Sequence, residues 1–105
     1  MKSKAITIVA ATIALFVSSS QAHALQYITG HVTLLEPTYL PDMISFQMDA
    51  GNAACPAGQF VFWRGGATEA VYTTLLSALL ANKTINFVIE DDDTSCTGRF
   101  VHISR

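Results

Sequence analysis

The chain has 105 residues, two cysteines and a formal net charge of −2. With Lys2 and Lys4 set aside, Arg64, Lys83, Arg99 and Arg105 face eight carboxylates, a balance of about −4. That balance disfavours nucleic acid and anionic membrane surfaces, because both need clustered Lys and Arg.

The first stretch reads as an export signal over residues 1–24. Lys2 and Lys4 make a positive start, and Ala5 to Val17 is an apolar run of about 13 residues. A bilayer span needs roughly 20, so the run is too short to be one. Ser18 to Gln21 turn polar, and Ala22-His23-Ala24 has the small-x-small form of a cleavage site. No cysteine sits there, which argues against a lipid anchor. The expected product is an exported protein, secreted or periplasmic, with one domain over 25–105. No membrane span is expected in the mature chain.

A domain of this size buries only about 60% of its unfolded surface and needs a staple or an oligomer. Cys55 and Cys96 are the only cysteines, and an exported setting permits a disulfide between them. The alternative is two free thiols or a metal pair.

Tyr27 to Leu35 alternates, with Ile28, Gly30, Val32 and Leu34 on one face, and predicts a half-buried strand. Gly30 inside it predicts a bend or bulge. Glu36 to Asp42 carries Pro37 and Pro41 and reads as a connection. Met43 to Asp49 alternates again, with Ile44, Phe46 and Met48 inward. Ala50 to Gly58 is a loop holding Cys55. Gln59 to Arg64 is a short aromatic strand ended by Gly65-Gly66.

The period then changes. Val71, Tyr72, Leu75, Leu76 and Leu79 fall on one helical stripe. Thr68 is the expected N-cap, Glu69 suits the first turn, and Asn82-Lys83 ends the helix. Thr84 to Glu90 alternates with Ile85, Phe87 and Ile89 inward. Asp91 to Gly98 is a loop with Cys96, and Arg99 to Ile103 is the last strand. The order β-β-β-α-β-β predicts a mainly β fold with one helix. A small five-stranded OB-fold-like barrel fits that order, with the helix plugging one end. An open antiparallel sheet with the helix across one face is the alternative.

Gly30-His31-Val32 in the first strand, Phe62-Trp63 before the helix, Thr74-Leu75-Leu76 with Ala78, and Lys83-Thr84-Ile85 form a pattern. It resembles the B subunits of subtilase cytotoxin and pertussis-like toxins, and small exported bacterial proteins on the same plan. The resemblance spans most of the domain and rests on order and spacing more than on rare residues. It implies an OB-fold, a homo-oligomeric ring of five copies, and binding of cell-surface glycans. In that family a Ser or Thr just before the first-strand glycine helps hold a sialic acid, and Thr29 is the matching residue. The chain is shorter than the toxin subunits and places its cysteines differently.

Catalysis needs a nucleophile or base with an orienting partner. His31 and His102 lie in no such motif, and the cysteines are expected to be oxidised, so no enzyme activity is expected. Glu90-Asp91-Asp92-Asp93 lacks the alternating ligands and glycine of a calcium loop. No metal or other cofactor is expected, and the acidic run reads as a solvated loop. Trp63 beside Arg64 has two readings, a stacking platform for a sugar or a core or subunit contact. The function that the resemblance implies is a non-catalytic module that recognises glycans, with Thr29 as the residue it matches and Trp63 as a further stacking candidate. The alternative is an envelope interaction or accessory module that binds another exported protein.

Overall fold

The computed structural model describes residues 24–105. The signal-peptide reading of residues 1–24 thus falls, except for Ala24, outside the described residues. Among the described residues six strands and one helix follow in chain order: β1 (Leu25–Gly30), β2 (Val32–Glu36), β3 (Ile44–Met48), β4 (Phe60–Trp63), α1 (Thr68–Ala81), β5 (Thr84–Glu90) and β6 (Phe100–Ser104). They form two three-stranded antiparallel sheets, ordered β1-β5-β6 and β2-β3-β4.

The fold is mainly β with one helix, but the expected five-stranded closed barrel is corrected in two respects. The predicted first strand is two strands, parted at His31, so the count is six. The ladders close into two sheets, not one continuous barrel. Gly30 explains the break. A Cβ there would lie 2.5 Å from Asp49 Oδ1 and 2.8 Å from Ala50 Cβ. Only glycine lets the chain pass under the 49–50 turn as it leaves one sheet for the other.

Asp49 fastens the same joint. Its Oδ1 accepts the His31 backbone N–H at 2.7 Å, and its Oδ2 lies 3.1 Å from His31 Nδ1. The His31 N–H, more than the imidazole, holds the Asp49 carboxyl below its ordinary value of 3.8. A depressed carboxylate contributes stability that is present above its unfolded value and lost as pH falls through the folded one. The side chains are 40% and 48% exposed, so solvent screening keeps the contribution small. Thermal melts between about pH 6 and 3 test this. Wild type is expected to lose more stability on acidification than Asp49→Asn, and parallel pH profiles would refute it.

A second irregularity reverses a face. Val32 pairs with Met48 and Leu34 with Gln47, so Thr33 is an extra residue, a β-bulge. Beyond it the alternation changes phase: Leu35 packs against the core and Leu34 is exposed. The predicted inward place of Leu34 is corrected accordingly. The other alternations hold. Ile44, Phe46 and Met48 are buried, as are Ile85, Phe87 and Ile89. Phe46 and Phe87 come from different sheets and meet edge to face, ring centroids 5.0 Å apart.

The helix lies chiefly against β2, with further contact to β6 and β5. Leu75 and Ala78 are fully buried, and Val71, Tyr72 and Leu79 pack beside them. Thr68 is not the cap. It is the first helical residue, and Ala67 holds the cap position in left-handed geometry (φ 48°) with no side-chain cap bond. Asn82 ends the helix as expected, left-handed at φ 54°, and Lys83 N–H donates to Ala78 O at 3.0 Å.

The two sheets are stapled at one place. Cys55 and Cys96 form a disulfide with Cα atoms 5.8 Å apart. Beside it, Phe62 N–H donates to Cys96 O at 2.9 Å and Gly98 N–H to Phe62 O at 2.8 Å, making a parallel bridge between Phe62 and Thr97.

Candidate functional site

The two residues proposed from sequence stand on different sheets and have different surroundings. Trp63 belongs to β4, pairs with Ile44, and is 7% exposed within the core cluster. Its Nε1–H donates to Gly66 O at 2.8 Å, which satisfies the indole's only donor. So deep a ring presents no face on which a sugar could stack, and the core reading of Trp63 is the one the burial fits. Thr29 is exposed on β1.

Thr29 sits in a row that runs across all three strands of its sheet. It pairs with Asn86 on β5, and Asn86 pairs with His102 on β6. Directly paired residues project from the same face, so the three side chains stand side by side on the outer surface. Thr29 Oγ1 donates to Asn86 Oδ1 at 2.6 Å. That bond fixes the amide with its oxygen toward β1, leaving the Nδ2–H donors on the other branch.

The next row on this face is Tyr27, Val88 and Phe100. Tyr27 is 61% exposed and Phe100 49%. The Tyr27 and His102 ring centroids are 6.3 Å apart, although their strands are separated by β5 and so lie about 10 Å apart. Both side chains must therefore lean over β5. This explains why Val88 is fully buried yet lies outside the core cluster: its neighbours roof it on the outer face.

The result is an exposed platform of two rings beside a hydroxyl, an amide and an imidazole. Such a surface can stack against an apolar face and exchange hydrogen bonds with a polyol. Sequence reading found Thr29 through the family resemblance alone, weighed His102 only as a catalytic group, and missed Asn86 and Phe100. Each carried a weak signal, its outward parity within its strand. What the sequence lacked was the register that brings position 29 beside 86 and 86 beside 102.

Among the described residues there is no cluster of three or more His, Cys, Asp or Glu able to hold a metal ion. No helix among them is long and apolar enough to cross a membrane. No protein-family model, no curated protein and no solved structure matches the chain.

Proposed function

We propose that the chain is an exported, non-catalytic glycan-binding module on an OB-fold-like barrel, akin to toxin B subunits. Its binding surface is the outer face of β1, β5 and β6. The observation that carries this reading is the row Thr29–Asn86–His102 lying beside the exposed rings of Tyr27 and Phe100.

Connectivity supports the barrel. With β1 and β2 counted as one strand bent at His31, five strands remain. The bend joins the sheets on one side and the Phe62–Thr97 bridge on the other. A partly open five-stranded barrel has that plan. The disulfide and the lack of a membrane-spanning helix among the described residues are compatible with export. A ring of five copies belongs to the same proposal, and sedimentation measures it directly.

A glycan array probed with the oxidised protein is expected to give binding that Tyr27→Ala and Asn86→Ala each weaken by about tenfold, the effect of losing one contact of roughly 1.4 kcal/mol. Thr29→Ala should weaken it less, because its hydroxyl proton is already given to Asn86 Oδ1 and only its acceptor lone pairs are left for the sugar. Circular dichroism should show all three variants folded. An array without signal would remove the reading. So would full binding by all three variants. A silent array would favour the envelope interaction module, for which the exposed Leu25, Tyr27 and Phe100 are the natural contacts.

A further inference from the structure

We propose that the β1-β5-β6 face takes a neutral pyranose and discriminates against anionic sugars, sialic acid included. The inference rests on the glycan reading and adds the charge class of the ligand. The resemblance through Thr29 implied a sialic acid; the surroundings of Thr29 argue for an uncharged sugar.

Three observations combine. First, the groups on the platform are hydrogen-bonding partners suited to hydroxyls. The Thr29–Asn86 pair offers acceptor lone pairs on the threonine and two N–H donors on the amide, and the His102 imidazole stands beside them. A pyranose presents vicinal hydroxyls on its edge and C–H groups on its face. The edge matches this row, and the face matches the Tyr27 and Phe100 rings in the neighbouring row.

Second, no lysine or arginine lies within β1, β5 or β6. Three cations adjoin the strands: Arg99 is ion-paired with Glu90 at the end of β5, and Lys83 and Arg105 flank the Thr84–Ser104 row at the opposite end of the sheet from the Tyr27–Phe100 rings. A carboxylated sugar seated on the Tyr27–Phe100 rings would find no guanidinium within the three strands to take its charge as a fork.

Third, negative charge borders the face. Leu25 and Glu90 form the row beyond Tyr27 and Val88, and Asp91, Asp92 and Asp93 follow Glu90 directly. Burial would raise the Asp93 carboxyl, but hydrogen bonds from the Ser95 hydroxyl and from nearby backbone N–H groups hold it low and charged. Glu90 is paired with Arg99, but the Asp91–Asp93 run follows the strand at this end of the sheet, and its field opposes an anionic sugar on the Tyr27–Phe100 rings at low salt.

The test is a titration of the isotopically labelled, oxidised protein followed by amide chemical shifts. The probes are galactose-, glucose- and mannose-terminated neutral oligosaccharides, with lactose and 3′-sialyllactose as the matched pair. At least one neutral probe is expected to shift the amides of β1, β5 and β6, with binding about tenfold weaker in Asn86→Ala, one hydrogen-bonding partner removed. For the matched pair, sialylation should weaken binding at least about threefold at low salt, and the gap should narrow as ionic strength rises. Equal or tighter binding of 3′-sialyllactose at this face would overturn the charge inference while leaving the glycan reading standing. Silence from every probe would overturn both.

Discussion

Replacing both cysteines, Cys55→Ala/Cys96→Ala, is expected to lower the unfolding free energy by about 4 kcal/mol. The bridge closes a loop of 41 residues in separation, and a cross-link of that length removes much of the unfolded chain's freedom. A domain of this size has a net stability of only some 5–10 kcal/mol, so one bond carries a large share. The position of the bond adds to its length. It ties the loop before β4 to the segment before β6, beside the bridge between Phe62 and Thr97. Without it the β4 side of the joint rests on two backbone hydrogen bonds, Phe62 to Cys96 and Gly98 to Phe62. Urea unfolding of the variant and of reduced wild type should agree in midpoint and lie well below oxidised wild type. The slope should also steepen, because the unfolded chain is less constrained and exposes more surface. A loss under about 1 kcal/mol would mean that the staple is dispensable to the joint.

The same joint shows where sequence is informative and where it stops. Alternation over Ile44–Met48 and Thr84–Glu90 announced both central strands, because burying one face imposes a period of two on a short segment. The helix stripe was legible for the corresponding reason at its own period. With two cysteines in the chain, only one intrachain pairing exists. Apart from the start of the helix, the failures share a cause: each depends on a partner distant in sequence. Thr33 is ordinary until β3 fixes a register in which it is surplus, and then Leu34 and Leu35 exchange faces. Thr68 has good capping chemistry, but a left-handed Ala67 follows Gly65-Gly66 and starts the helix one residue early. Phe60-Val61-Phe62-Trp63 is apolar throughout, so its pattern carries no phase. The ladder to β3 supplies one, turning Val61 and Trp63 inward and leaving Phe60 exposed. The candidate site is the extreme case, since Thr29 and Asn86 are 57 residues apart.

Phe87 and Gly98 should be energetically coupled, and the coupling should be visible in a double-mutant cycle. Phe87 is fully buried in β5 and meets Phe46 of the other sheet edge to face. Its truncation to alanine removes a core ring and leaves a cavity, at a cost of about 3–5 kcal/mol. Gly98 lies over the same ring. A Cβ on Gly98 would sit 2.3 Å from Phe87 Cε1 and 2.7 Å from Cζ, far inside contact distance. Gly98→Ala must therefore displace either the ring or the strand entry just past the disulfide, at about 1–3 kcal/mol for overpacking. In the Phe87→Ala background that obstacle is gone, and the added methyl enters vacated space. The second substitution should then cost nothing or restore part of the loss, a coupling of about 1–3 kcal/mol. Unfolding in urea, with sucrose present so that the weakest variant stays folded at zero denaturant, gives all four corners. Additive losses would show that the Cys96–Gly98 segment does not rest on the Phe87 ring. Strong coupling would mean that the ring linking the two sheets also seats the stapled loop, so core and disulfide stabilise one joint together.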